Sequence, residues 1–310
     1  MISSIRIRAL DLVAAASPGR VAHLSAASGL VRAGKFLYVV ADDEHHLGMF
    51  DAVGTGAGSL VRLFDGELPE SASKRKKKKP DLEALTLLPP FAAFAHGALF
   101  AIGSGSRPNR RMGALLGLGP DGTVHGDPVA VDLSAMFSAL DKEFPKLNIE
   151  GAVVAGGELC LFQRGNKSAG NALARFRLSD LLDSLTSAGG LGPSRPIAVH
   201  RVDLGEIDGI PLCFTDGAAL PGGGMVFTAV AEDTDDSFFD GPCAGAAVGM
   251  LGADRKLCFL DRLDHPHKIE GVDARVEGNT VRLLLVTDAD DASVPAALYS
   301  AEIPMCGDAR

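Results

Sequence analysis

The chain has 310 residues, of which 46% are apolar and 22% are charged, and its formal net charge is −9. This length and apolar fraction suffice for one large all-β domain or two ordinary domains. The longest apolar stretches, such as LYVVA and RLLLVT, have the length of strands and exclude a membrane-spanning helix. The acidic balance argues against nucleic acid binding over a broad surface.

The N-terminus and the cysteines favour a cytoplasmic protein. In the opening stretch, MISSIRIRALDLVAAASPG, Asp11 interrupts what would have to be the apolar centre of a signal peptide, so we expect a strand there. The five cysteines are odd in number, far apart and without a C-x-x-C pair. Reduced, mostly buried thiols fit this pattern better than a disulfide framework or a zinc site.

In chain order, a first strand, SIRIRALDL, is followed by five similar units. Each unit opens with an acidic or hydroxyl residue just before Gly or Ala, at the start of an apolar run, and we call this residue the head of the unit. The heads are spaced by 55, 67, 66 and 54 residues, and they are Ser28, Glu83, Glu150, Asp216 and Glu270. Such a period indicates one structural unit repeated along the chain.

Further runs in each unit, such as FLYVVADDEHH, LCLFQRGNK and MVFTAVAEDTDD, are rich in Val, Leu, Phe and Thr and are bordered by turn residues, as is typical of strands. Four antiparallel strands per unit, with the N-terminal strand completing the last unit, predict an all-β fold. The prediction is a five-bladed β-propeller, a single domain over residues 1–310. A six-bladed ring is the alternative.

Three segments interrupt the strand pattern. Residues 133–144 and 179–190 carry capping residues and helical spacing, so two short inserted helices are predicted. The basic run KRKKKK at residues 74–79 holds six of the thirty basic residues and lacks interleaved aromatic side chains. We expect this run to be a solvated loop inside the repeat.

The heads predict a metal site, because the first strand of each propeller blade lines the central channel. Four carboxylates at close range cannot all remain ionised without a cation. Calcium accepts six to eight oxygen ligands in flexible geometry, and no histidine or cysteine lies among the heads to favour zinc. The alternative is structural, with each head accepting hydrogen bonds from backbone N–H groups where blades meet.

The order of the heads, with KIEG at the last one, resembles the calcium-activated nucleotidase (apyrase) family, which are five-bladed propellers with an axial calcium. The heads are also similar to those of phytase-type esterase and quorum-regulated propeller families. Over nearly the whole chain, motifs such as PDLEALTLLPP, GSGSRPNRR and PHKIEGV resemble a family of bacterial propeller proteins without known activity.

The apyrase resemblance implies that the five heads bind Ca²⁺ and that the substrate is a phosphate compound. Such a substrate needs polar and cationic side chains around the channel mouth, and the candidates are Arg107, Arg110, Arg164, Asn166, His267 and Lys268. Candidate bases for activating water are Asp43, Asp233 and Asp288. For any single arginine, a solvated loop charge or a salt bridge is the alternative.

The sequence therefore predicts a calcium-binding propeller that hydrolyses a small anionic, phosphorylated molecule as a phosphate-ester or phosphoanhydride hydrolase. One alternative is a non-enzymatic interaction or sensor module whose axial metal only holds the ring together. Another is a lactonase-like or esterase-like propeller, because propellers host enzymes and binding platforms alike.

Overall fold

Five antiparallel sheets, which we number as blades 1 to 5, make up the computed structural model of this chain. The structure describes residues 1–17, 19–167, 169–187, 191, 195–234 and 241–307. Blade 1 contains β2 (Ala27–Ala33), β3 (Phe36–Ala41), β4 (His46–Asp51) and β5 (Ser59–Arg62). Blade 2 contains β6 (Leu82–Leu88), β7 (Ala98–Gly103), β8 (Met112–Leu118) and β9 (Val124–Asp132).

The other three blades follow in chain order. Blade 3 contains β10 (Ile149–Ala155), β11 (Glu158–Gln163), β12 (Asn171–Arg177) and β13 (Ala198–Val202). Blade 4 has a short fifth strand and contains β14 (Glu206–Ile207), β15 (Ile210–Ala219), β16 (Met225–Glu232), β17 (Cys243–Leu251) and β18 (Leu257–Arg262). Blade 5 contains β19 (Ile269–Glu277), β20 (Thr280–Thr287), β21 (Ala297–Pro304) and the N-terminal β1 (Ser4–Ala9).

The innermost strands of the blades close a ring. Neighbouring pairs among β2, β6, β10, β15 and β19 pack against each other, and β19 returns to β2. The fold is therefore a five-bladed β-propeller, as the repeat predicted. The described residues form five such sheets and no sixth, so the six-bladed alternative was wrong.

The N-terminal strand closes the ring, as predicted. β1 pairs antiparallel with β21, from Ser4 opposite Ala301 to Ala9 opposite Ala297. Closure removes an exposed sheet edge that would otherwise invite pairing with another chain.

Glycine after the strand head allows the innermost strands to approach closely. A Cβ on Gly29 would lie 3.0 Å from the backbone nitrogen of Leu85, and one on Gly151 would lie 2.9 Å from the Cα of Asp216. These neighbours are backbone atoms, which cannot move aside as a flexible side chain can. The repeated Gly after the head is therefore a packing requirement of the axis.

The core lies between adjacent blades. Phe162 of blade 3 and Phe214 and Phe227 of blade 4 stack edge to face with ring centroids 5.0 and 4.9 Å apart, and all three are fully buried. Such contacts position the inner strands, since truncating a buried phenylalanine to alanine costs about 3–5 kcal/mol.

The described residues contain three short α-helices, α1 (Ala72–Lys78), α2 (Ser134–Leu140) and α3 (Leu178–Ser187). Both predicted insertions contain a helix, and residues 188–190 of the second lie outside the described residues. Helix α2 buries Met136, Phe137 and Leu140 in the core. The prediction of a loop for KRKKKK was wrong, because α1 covers most of it. None of the described helices is long and apolar enough to cross a membrane.

Arg8 ties the closing strand to blade 1. Its guanidinium is buried and donates hydrogen bonds to the carbonyl oxygens of Gly54, at 2.6 Å, and Asp51, at 2.8 Å. We expect Arg8→Met to lower the free energy of unfolding by about 1.5–3 kcal/mol, because those carbonyls lose a charged donor. Urea denaturation measures this change.

Arg6→Met is the matched control, since Arg6 lies exposed on the same strand. Its effect should stay within about 0.5 kcal/mol. Equal effects of the two substitutions would show that Arg8 does not secure the closure.

Candidate functional site at the axis

One extra residue interrupts the pairing of each innermost strand with its neighbour. In blade 1, Ala27 pairs with Ala41 and Gly29 with Val40, so Ser28 is left out of the ladder. The same β-bulge recurs in every blade, and the bulged residues are Ser28, Glu83, Glu150, Thr215 and Glu270. A bulge redirects the extra side chain.

Blade 4 departs by one residue from the pattern predicted by the sequence. Its bulged residue is Thr215, whereas the spacing pointed to Asp216. Thr215 is fully buried, and its Oγ1 lies 2.8 Å from the carbonyl oxygen of Ile269 and 2.9 Å from Thr228 Oγ1. The sequence TDG places a hydroxyl and an acid side by side before the glycine, so spacing could not distinguish them.

Asp216 forms hydrogen bonds to two neighbouring blades and is not among the described residues that line the cavity at the axis. Its Oδ2 accepts hydrogen bonds from the N–H groups of Val272, at 2.9 Å, and Leu30, at 3.4 Å. It therefore connects blade 4 to blades 5 and 1. Burial raises the pKa of this carboxyl well above its usual range. This arrangement is the structural alternative that the sequence left open for the heads.

The other four bulged residues line a cavity of about 370 Å³, which we call the axial cavity. All five blades contribute to it, and so does the α1 segment. Among the described lining residues, eleven are acidic and seven are basic. The acidic ones are Asp42, Asp43, Glu70, Asp81, Glu83, Glu150, Glu232, Glu270, Asp288, Asp290 and Asp291.

Two basic side chains lie among three carboxylates in the half of the cavity formed by blades 3, 4 and 5. Arg164 forms ion pairs with Glu232, with Glu150 at 3.4 Å and with Glu270 at 3.7 Å. Lys268 Nζ lies 3.6 Å from Glu270 Oε1 and 3.9 Å from Glu232 Oε1. Burial lowers the pKa of Arg164, but the three carboxylates outweigh burial and raise it well above its usual range.

A second ion cluster occupies the half formed by blades 1 and 2. Lys79 Nζ contacts Asp42 and lies 2.8 Å from Asp81 Oδ1, while Arg110 Nη1 lies 2.7 Å from Asp81 Oδ2. One carboxylate oxygen from each of Asp42, Asp81 and Glu83 lies within 4.8 Å of the other two. That spacing allows the three carboxylates to share one cation.

The pKa values of several cavity acids are raised. Burial first, and then Glu150 and Asp81, hold the pKa of Glu83 well above its usual range. Burial raises the pKa of Glu270 to about 8 and that of Asp288 to about 8. A neighbouring cation would reverse these shifts by favouring the charged forms.

Most of the other predicted site residues line the axial cavity. They are Asp43, Arg110, Arg164, Asn166, Lys268 and Asp288. Arg110, Arg164 and Lys268 all contact carboxylates, as the salt-bridge alternative for such residues expected.

Three predicted residues lie outside the described lining of the cavity. Arg107 is exposed before a single 3₁₀ turn, and Asp233 forms an ion pair with Lys167. His267 stacks on Tyr299, with ring centroids 4.9 Å apart and Nε2 3.1 Å from the tyrosine hydroxyl. A position next to a strand end does not determine which way the side chain faces.

Sequence reasoning missed several charged cavity residues, four of which form ion pairs in the half made by blades 1 and 2. Arg75 and Lys79 belong to the basic run, Arg20 lies before β2, and Asp81 lies two residues before Glu83. Arg20 contacts Asp43 at 2.6 Å. The motif KPDLE, which places a lysine and a second acid beside the head of blade 2, was the available signal.

The fold and the site define a class: a five-bladed β-propeller with a carboxylate-rich cavity at its axis. Within this class, the chain belongs to DUF6929, a family of unknown function whose model matches residues 23–303. No curated protein matches the sequence. The resemblance to calcium-activated nucleotidases, phytase-type esterases and quorum-regulated propellers therefore stays a prediction.

Solved structures share similarity with this chain at low sequence identity. One is a luciferin-regenerating enzyme, with 12% identity, a TM-score of 0.45, and 92% of this chain and 95% of that chain covered. A second is a hypothetical protein from Leishmania major, with 11% identity, a TM-score of 0.45, and 97% and 91% covered. A third is a putative gluconolactonase, with 12% identity, a TM-score of 0.43, and 97% and 92% covered. Such values carry no inference about chemistry.

Asp216 can be tested as a structural residue. Because an amide oxygen can accept the same two backbone hydrogen bonds and burial raises the pKa of this carboxyl, Asp216→Asn should change the free energy of unfolding by less than about 1 kcal/mol. Asp216→Ala leaves two backbone N–H groups without their acceptor and should cost about 2–4 kcal/mol. Urea denaturation compares the variants, and equal losses for both would contradict a neutral acceptor.

Proposed function

We propose that the axial cavity binds a divalent cation, Ca²⁺ by its ligand chemistry, and that the cation is the cofactor of a hydrolase acting on a small anionic substrate. The observation that carries the proposal is the excess of acidic over basic side chains among the described lining residues of the cavity, eleven against seven. Confined like charges need a counter-ion, and a divalent cation supplies two charges in a small volume.

The donor set fits a hard cation. Ser28, Glu83, Glu150 and Glu270 offer oxygen ligands from four different blades, and no histidine or cysteine is among the described lining residues. Glu270 is 4% exposed, and its Oε1 accepts no hydrogen bond from the described residues, although Lys268 and Arg164 lie within ion-pair distance at 3.6 and 3.7 Å. A buried carboxylate oxygen without a hydrogen bond is the kind of atom that a cation would satisfy.

The basic residues of the cavity limit how a substrate can be bound. Arg164 is within ion-pair distance of three carboxylates, and Lys79 and Arg110 share Asp81. We therefore assign Arg164 and Arg110 to holding the acids in place. A bound divalent cation would supply the attraction for an anionic group and would polarise its phosphoryl or carbonyl oxygen.

Asp288 is the residue best placed to move a proton. It lines the axial cavity, and its pKa of about 8 lets it hold or release a proton near neutral pH. A general acid or base is most effective when its pKa lies near the working pH. Asp43 also lines the cavity, but Arg20 lies 2.6 Å from its Oδ2, so we assign Asp43 a positioning role.

Calcium titration tests the cofactor. We expect isothermal titration with CaCl₂ to show binding, and Glu150→Gln or Glu270→Gln to weaken it at least about tenfold, because each change removes a charged ligand. Glu277→Gln is the control, since Glu277 is on the same strand as Glu270 but lies exposed. Absence of any calcium or magnesium binding to the unmodified protein would overturn the proposal.

Calcium affinity should rise with pH. Glu270 and Asp288, with pKa values of about 8, hold protons at pH 6 that cation binding must release. The affinity should therefore increase about tenfold to a hundredfold between pH 6 and pH 8. Titration in two buffers with different heats of ionisation measures the protons released, and a pH-independent affinity would contradict this assignment.

A substrate panel separates an enzyme from a binding module. Phosphomonoesters, nucleoside di- and triphosphates, carboxylic esters and lactones should be tested with calcium present. For whichever class turns over, Asp288→Asn should lower kcat about a hundredfold with calcium binding retained, because proton transfer is lost. Calcium binding without turnover of any class would favour the interaction or sensor module instead.

A further inference from the structure

Residues 71–79, which we call the strap, comprise α1 and its two capping residues and contribute directly to the axial cavity. The basic side chains of the strap differ in burial. Arg75 and Lys79 are buried, at 4% and 7% exposure, Lys76 is half-buried, and Lys74, Lys77 and Lys78 are exposed. Residues four apart in a helix share a face, so the buried pair forms the inner face of the strap.

The strap is held by polar contacts from blades 1 and 2. Arg75 donates hydrogen bonds to the carbonyl oxygens of Asp43, at 2.8 Å, and Pro69, at 3.0 Å. Arg110 donates to the carbonyl oxygen of Lys76 at 3.1 Å, and Asn109 donates to that of Lys79 at 3.0 Å. The C-terminal end of α1 therefore lies fixed at the axial cavity.

Lys79 places its ammonium group inside a carboxylate cluster. It contacts Asp42 and Asp81, and Glu83 is the third acid whose charge acts on it. One oxygen from each of these three acids falls within 4.8 Å of the other two. The ammonium thus lies against two of the three acids that are spaced to share one cation.

We infer that Lys79 is a tethered counter-ion that competes with the divalent cation for Glu83, one of the four proposed ligands, and for the neighbouring Asp42 and Asp81, so that cation binding releases the C-terminal end of the strap. The inference rests on the proposed function and adds a regulation to it. A divalent cation bound at Glu83 would repel the Lys79 ammonium and take the carboxylate oxygens that stabilise it. Strap docking and cation binding therefore oppose each other, and by linkage each weakens the other equally.

The position of Lys79 at the end of α1 links displacement of its side chain to the helix. Lys79 is separated from Asp81 by Pro80 alone and from the bulged Glu83 by three residues. Displacement of its side chain removes two ion pairs from the C-terminal end of α1, while the contacts of Arg75 and the hydrogen bonds from Arg110 and Asn109 remain. The expected change is local loosening over residues 76–79 with the propeller unchanged.

The first test is calcium affinity in variants of one side chain. Lys79→Met should bind CaCl₂ about tenfold more tightly than the unmodified protein, because the internal competitor is gone. Lys77→Met, an exposed change on the outer face of the same helix, should leave Kd unchanged. Lys79→Arg keeps the positive charge and should stay close to the unmodified value, which also guards against a folding defect of the methionine variant.

The second test is hydrogen–deuterium exchange over residues 72–79. Saturating calcium should speed exchange there in the unmodified protein, and Lys79→Met should show faster exchange than Lys77→Met with no calcium present. Equal calcium affinity of Lys79→Met and the unmodified protein would overturn the inference while the proposed function stands. Slower exchange of the strap on calcium addition would also overturn it. Absence of calcium binding in every variant would overturn both.

Discussion

The confinement of like charges at the axis is the constraint on which the rest of this structure depends. Each innermost strand has one β-bulge at the same end of the ring, and three of the five bulged residues are glutamates. The glycine that follows most of them allows the strands to approach until those side chains meet. The ring geometry that closes the fold therefore also concentrates carboxylates at the axis. Burial first, and then repulsion from neighbouring acids, raises the pKa values of Glu83, Glu150 and Glu270.

The cavity compensates this charge with its own basic residues, in two clusters. Arg164 and Lys268 form ion pairs with the acids in the half made by blades 3 to 5. Lys79 and Arg110 form ion pairs with the acids in the half made by blades 1 and 2. Buried ion pairs of this kind add little net stability, because desolvation offsets their attraction. Their more direct effect is to define where a further cation would lie, since they hold each acid in one orientation while leaving an overall acidic excess.

Much of the architecture could be predicted because it is repeated. Five heads at a regular spacing and a spare N-terminal strand were enough for the number of blades and for closure by β1. The same pattern identified Ser28, Glu83, Glu150 and Glu270, whose side chains do line the cavity. It failed at TDG in blade 4, where a shift of one residue exchanges Thr215 for Asp216. The helix α1 was also missed, because its basic side chains are stabilised by acids from other parts of the chain.

The sequence by itself determined the repeat, the strand content and the kinds of side chain that reach the axis, since these follow from alternation, turn residues and period. Only the tertiary structure decided which neighbour each charge has. The side chain of Asp216 turns to the backbone of blades 1 and 5, His267 stacks on Tyr299, and Lys79 enters the acid cluster. The physical reason is that strand periodicity acts over a few residues, whereas electrostatic contacts depend on distances between segments far apart in the chain.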